Sequence, residues 1–301
     1  MRYAIANCLI AILLITPANA APKAEPRALD AKNRPAEDGR SVLVELAQTE
    51  IATDVDIGRV AFPGGGGGLL GALIISAQDD SRKRLTESAQ ARADAAVAPL
   101  RQALADFDVA ALALRTTHGA LDASAWFTPR DIALERSPSD SSREGFIQSV
   151  STRQFAVISY TYGLSPDFTQ IRVVADVILA SKPAKGRPGA FQVLLRQRVS
   201  SVAELRQRSY EAADNVAVWR AEDGKIAEAS LTAAFAKLER LVPFALGLQP
   251  ADLDRLDAAS QPKVFASGFY GPKVELAPAL PGENVLWVDG GLLDVWAAPS
   301  L

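Results

Sequence analysis

Apolar and polar positions follow two different periods along this chain, and the change between them divides it. From Ser81 the apolar side chains recur at three- and four-residue steps. Leu85, Ala89, Ala93, Ala96, Val97, Leu100, Leu104 and Phe107 fall on one face of a helix, with Arg82, Arg84, Glu87, Arg92 and Arg101 mostly on the other. Pro99, inside this run, is expected to kink or restart the helix. Val109 to Leu121 reads as a second short helix, and Trp126 to Glu135 as a turn leading into an extended piece. The Ser/Asp-rich stretch Pro138 to Glu144 reads as an internal loop.

Beyond that loop the period becomes two. Phe155 to Tyr162, Gln170 to Ala180 and Phe191 to Ser200 each read as strands, the second placing Ile171, Val173, Ala175, Val177 and Leu179 on one side. Gly163-Leu164-Ser165-Pro166-Asp167 and the Pro/Gly-containing segment Lys182 to Gly189 suit the connections of an antiparallel meander. Ser201-Val202-Ala203-Glu204 has the form of a capping box and predicts a helix start. A turn at Asp223-Gly224 precedes a stronger helix with a buried stripe from Ile226 to Ala245. Val285 to Trp296, broken by Asp289-Gly290, reads as a terminal hairpin. In the first part, Ser41 to Leu46 and Ile57 to Phe62 are candidate strands.

These elements predict an α+β fold: an antiparallel β-meander with helices packed against it, a helical N-terminal part and a C-terminal β-hairpin. One domain over 41–301 is expected, helix-rich over 41–137 and sheet-rich over 145–301. A doubly wound parallel sheet is not expected, because no regular alternation of strand and helix is visible.

The N-terminus changes the picture. Met1-Arg2-Tyr3 carries one positive charge, Ala4 to Ile15 is uncharged, and Thr16-Pro17-Ala18-Asn19-Ala20 ends in small residues. This is the pattern of a secretory signal peptide over 1–20, cleaved after Ala20. The apolar run is shorter than the ~20 residues of a spanning helix. Cys8, the one cysteine, lies inside that run and not at the cleavage point, so a lipoprotein is not expected. Residues 21–40, with Pro22, Pro26 and Pro35 among charged residues, read as a flexible linker. The expected location is periplasmic or secreted.

Loss of the leader removes Arg2 from the 32 basic residues and nothing from the 35 acidic ones. The resulting slight acidity recommends neither nucleic acid nor an anionic membrane as a partner on bulk charge. A mature chain without cysteine has no disulfide and no thiolate nucleophile or ligand. With one histidine besides, no metal site is expected, and no cofactor is implied.

Candidate chemistry is sparse. Between Arg59 and Asp79 no residue is charged, and five adjacent glycines, Gly64 to Gly68, lead into an apolar run. Gly66-x-Gly68-x-x-Gly71 formally matches a dinucleotide pattern, but five adjacent glycines match such patterns by chance and no strand–helix alternation surrounds them. Gly68, Leu69, Leu70, Gly71, Leu73 and Ile74 are instead a candidate contact for an envelope partner or, peripherally, for the membrane. The bland alternative is a pliable loop running into a buried helix start. His118, the sole histidine, is the only imidazole a Ser-His-acid hydrolase would have, and no Gly-x-Ser-x-Gly elbow accompanies it. Tyr160 and Tyr162, at alternate positions of one strand, are a candidate ligand platform, as well as ordinary sheet packing. The leading expectation is an exported periplasmic protein, non-catalytic, acting as a cell-envelope binding or scaffold component. The alternatives are an exported hydrolase using His118 or a carboxylate pair, and a small-ligand carrier.

Overall fold

The computed structural model describes residues 25–46, 48–53, 87–183, 191–258, 260–276 and 284–299. The leader and the glycine-rich segment with Gly68, Leu69, Leu70, Gly71, Leu73 and Ile74 lie outside the described residues. In chain order the strands are β1 (Arg40–Leu46), β2 (Ala52–Thr53), β3 (Pro129–Glu135), β4 (Gln154–Leu164), β5 (Gln170–Ser181), β6 (Gln192–Glu204), β7 (Lys263–Ala266), β8 (Phe269–Pro272), β9 (Val285–Val288) and β10 (Gly291–Ala297). The helices are α1 (described over 87–103), α2 (Val109–Asp122), α3 (Asp140–Ser149), α4 (Ala212–Gly247) and α5 (Pro250–Asp257).

One eight-stranded sheet has the order β3-β1-β4-β5-β6-β10-β9, with β2 pairing β4 beyond the end of β1. β7 and β8 form a separate two-stranded sheet. The expected antiparallel α+β meander is therefore corrected to a mixed α/β sheet. β4, β5 and β6 do run antiparallel to one another. But β1 lies parallel between β3 and β4, β2 runs parallel to β4, and β10 runs parallel to β6. The physical reason lies in the connections. A helical crossover returns the chain to the start of the sheet and makes the next strand parallel. α1 and α2 link β2 to β3, and α3 links β3 to β4, so strand and helix alternate through the first half of the sheet.

α3 is the element the sequence reading passes over. Pro138 to Glu144 is not a loop throughout: Ser139 is an N-cap whose side chain accepts from the Ser142 amide, and Ser142 returns the interaction. The segment Ser201 to Glu204 departs in the opposite direction. It completes β6, paired on both sides by β5 and β10, and the helix starts only at Ala212. Two ladders satisfy every backbone group that a cap would have satisfied singly, so the local capping signal loses. The Asp223-Gly224 turn is present within α4, where Glu222, Asp223 and Gly224 take φ of 52°, 56° and 86°. Asp289 and Gly290, with φ of 51° and 78°, form the tight turn between β9 and β10.

The two sheet faces are covered differently. Val42, Val44, Ile158, Val173, Leu195 and Val199 face the main core, shared with Val97 of α1, Ala113 of α2 and Phe235 of α4. On the other face α3 presses Ile147 onto Leu43, Phe155, Val157 and Ala180. From Glu25 onward the stretch expected as a flexible linker lies along this body. Leu29 is buried in the main core, Pro26 accepts from the Arg196 amide, and Arg27 pairs with Asp257. No helix among the described residues is long and apolar enough to cross a membrane.

Candidate functional site

A cleft opens where β1 ends. Parallel β1, β3 and β4 all point their carboxyl ends the same way, and the chain leaves β1 toward β3 on one side while β4 arrives on the other. Such a switch of direction leaves a crevice outside the strand ends. After Leu46 the backbone swings away from β4, and the Gln48 side chain takes over the vacated ladder. Its amide nitrogen donates to the Tyr162 carbonyl at 2.8 Å and its oxygen accepts from the Tyr162 amide at 2.7 Å. Pairing resumes at Ala52, opposite Gly163, where a Cβ would crowd the Ala52 carbonyl at 3.1 Å.

The segment 48–53 is stapled to α1. Thr53 donates its hydroxyl to Asp94 at 2.7 Å, Gln90 donates to Thr53, and Arg101 donates to both Asp94 at 2.7 Å and the Ile51 carbonyl at 3.1 Å. The Arg101 hydrogen bond, followed by that from Thr53, holds the Asp94 carboxyl below its ordinary range. The far wall is the turn between α1 and α2. There Phe107 packs at the core margin and Asp108 caps α2 by accepting from the Ala111 amide at 3.0 Å. Arg136, at the end of β3, lies 3.7 Å from the Asp108 carboxylate.

The open cleft has a volume of about 270 Å³ and is lined by Gln48, Thr49, Asp106, Phe107, Arg136 and Tyr162, among others. A smaller space of about 170 Å³ continues past Glu50, Arg101 and Leu231 and shares Tyr162 as a wall. Tyr162 is only 4% exposed. Burial, with the Glu50 carboxylate adding to it, pushes its hydroxyl up to about 12, so it stays protonated and a donor at neutral pH. Among the described residues that hydroxyl has no hydrogen-bond partner; the bonds of Tyr162 are those of its backbone to Gln48. A half-apolar crevice with carboxylates at its rim, an aromatic floor and one unspent phenol is equipped to hold a small molecule.

The other candidates are placed as follows. Tyr160 shares the sheet face of Tyr162, as their spacing requires, but sits deeper. Its ring packs 5.5 Å from that of Phe235, its hydroxyl lies 3.0 Å from the Thr117 hydroxyl, and burial raises its pKa. It is a core residue and does not line the cleft. His118 lies exposed in the C-terminal half of α2, and no described serine or aspartate is hydrogen-bonded to it. Gly119 beside it accommodates Glu239 of α4, whose carboxylate occupies the space of the missing Cβ. No group of three or more His, Cys, Asp or Glu able to hold a metal ion occurs among the described residues.

Of the residues that shape the cleft, Tyr162 alone was singled out from the sequence, as half of a ligand platform with Tyr160. Gln48 and Tyr162 are 114 positions apart, and nothing local marks Gln48 as a surrogate strand. No protein-family model matches the chain, and no curated protein or solved structure matches it.

Proposed function

We propose that this chain is an exported, non-catalytic binding component of the cell envelope, and that the cleft at the end of β1 takes a small ligand carrying a cationic or N–H donor group. The observation that carries this reading is the unpartnered, protonated hydroxyl of Tyr162 in the wall of that cleft. Export rests on the leader pattern in residues 1–20. The ligand class follows from charge: Glu50, Asp106 and Asp108 surround the opening, while Arg101 is shared between Asp94 and Glu50 and Arg136 lies beside Asp108. Counting Asp94, four carboxylates stand against these two arginines, so the rim is net negative. An ammonium group at the rim would meet carboxylate and the faces of Phe107 and Tyr162, a favourable pairing for a cation. The phenol oxygen of Tyr162 keeps its lone pairs while protonated and accepts from the N–H group that the ligand brings.

The test has two arms. Cell fractionation with N-terminal sequencing is expected to recover a chain beginning at Ala21 outside the cytoplasm; an intact Met1 on cytosolic protein would remove the export half. For the ligand half, amide chemical-shift mapping with aliphatic and aryl amines is expected to move residues 48–53 and 105–110, with acetate and phosphate as silent controls. Tyr162→Phe should weaken that response by about tenfold, the value of one hydrogen bond to a charged partner. An equal response in the variant, or shifts elsewhere, would remove it.

A further inference from the structure

The hairpin β7–β8 presents a surface that the cleft does not explain. Ser267 and Gly268, with φ of 50° and 89°, form the two-residue turn that joins its strands, and Phe265 stands directly opposite Tyr270. The inner face is docked. Phe269 packs toward Val202, Leu293 and Val295, and Gly271 meets the Trp287 backbone so closely that a Cβ there would collide with the carbonyl. The outer face is bare: Phe265 is 72% and Tyr270 63% exposed. Of the six large hydrophobic residues exposed among the described ones, Val264, Phe265 and Tyr270 belong to this one hairpin.

Charge accompanies the aromatic pair. Lys263 lies on the same outer face, its ammonium 5.7 Å from the Tyr270 ring centroid, and Lys273 follows directly after β8. Both lysines are exposed, and neither meets a carboxylate among the described residues. From Ala258 to Val274 the sequence contains no acidic residue. Glu204, the nearest carboxylate in contact with the hairpin, is occupied by Ser267 and Arg208. The chain is acidic as a whole, but over a Debye length of about 8–10 Å only the local charges act, and there Lys263, Lys273, Arg172 and Arg208 outnumber Glu204 and the exposed Glu275.

We infer that the outer face of β7–β8 docks on an anionic phospholipid surface. Two arguments select a bilayer over a protein. At about 200 Å² per aromatic side chain, the exposed parts of Phe265 and Tyr270 amount to roughly 270 Å². That is a third of the ~800 Å² each partner buries in a stable protein interface. A bilayer asks for no complementary shape: aromatic rings settle at the headgroup level while lysine ammoniums reach the phosphates beside them. Lys263 is two residues from Phe265 on the same face, about 7 Å along the strand, which sets an ammonium beside the aromatic pair in the plane of the surface. This surface is independent of the cleft and of its ligand.

Co-sedimentation with phosphatidylglycerol–phosphatidylcholine vesicles and with pure phosphatidylcholine vesicles tests it, using wild-type and variant chains of identical length. The wild type is expected on the anionic vesicles, with binding that weakens as salt rises, and scarcely on the neutral ones. Phe265→Ser/Tyr270→Ser and Lys263→Glu/Lys273→Glu should each reduce the apparent affinity by about tenfold or more with an unchanged circular dichroism spectrum. Hydrogen exchange at residues 263–272 should slow on anionic vesicles only. Wild-type protein that ignores both vesicles, binds both equally, or binds undiminished in the two variants overturns the inference. So does a self-association, read by sedimentation velocity, that the aromatic variant abolishes while vesicle binding stays absent.

Discussion

Glu45 shows how a single charged side chain is held inside this protein. It points from β1 to the face covered by α3, almost fully buried, and accepts from Arg143 at 2.8 and 2.5 Å and from the Ser159 hydroxyl at 2.6 Å. The bidentate contact raises the Arg143 pKa and ties α3 to the sheet. Removing one partner of a buried pair leaves the other charge desolvated, which costs about 3–5 kcal/mol when both are enclosed. Arg143 is partly solvated, so Arg143→Met is expected to lose about 2 kcal/mol in urea denaturation, whereas Glu45→Gln/Arg143→Met should recover about half of it. A single variant as stable as the wild type would show that the pair is replaceable by water. Tyr162 follows the opposite logic at the same scale: the residue is mostly buried, but its unspent hydroxyl opens into the cleft, and its value is realised only when a ligand arrives.

Between elements, the junction of α4 with β10 is set by one ion pair. Lys237 donates to Asp294 at 2.7 Å over the Trp296 ring, while the other Asp294 oxygen is buried without a partner. Lys237→Met alone is expected to cost about 3 kcal/mol, and Lys237→Met/Asp294→Leu to return to within about 1 kcal/mol of the wild type. Additive effects in that cycle would contradict the pairing. The docked hairpin offers a steric counterpart. Gly271→Ala forces a Cβ into the Trp287 carbonyl, so β8 has to move off β9. Limited proteolysis should then cut within residues 260–276 much faster than in the wild type, with global stability down by about 1–3 kcal/mol. Unchanged protection there would mean the strands shift together without separating.

Across the molecule, two staples join distant parts and share one pH response. Asp257 accepts from Arg27 at 2.5 Å and from the Trp287 indole at 2.8 Å, and the Arg27 bond foremost lowers its pKa. Asp94 is lowered likewise by Arg101. A carboxyl whose folded pKa lies below the unfolded value near 3.8 stabilises fully above that value. The contribution fades as pH falls through the lower, folded pKa. Acidification below about pH 4 is therefore expected to release the 25–34 arm and the 48–53 segment before the sheet core opens, as early hydrogen exchange at those residues. Asp257→Asn should remove the acid dependence of the arm alone. Simultaneous exchange of arm, segment and core would instead indicate one cooperative unit.

What was legible in the sequence was what depends on neighbours along the chain. The two-residue alternation of β4 and β5, the helical stripe of α1 with Ala93, Val97 and Leu100 inward, the Asp223-Gly224 break and the Asp289-Gly290 turn are all local consequences of side-chain direction and backbone freedom. The β7–β8 hairpin carried such a signal too, since Ser267-Gly268 stands between two aromatic-rich runs. Strand partnership belongs to a different kind of information. Whether β1 pairs beside β4 in parallel, whether Ser201 to Glu204 continues as strand or caps a helix, and whether Gln48 substitutes for a strand at Tyr162 were decided by contacts across about a hundred residues. Those contacts exist only once crossover helices have packed on the sheet, because burying apolar faces fixes which edges meet, and no local pattern encodes that choice.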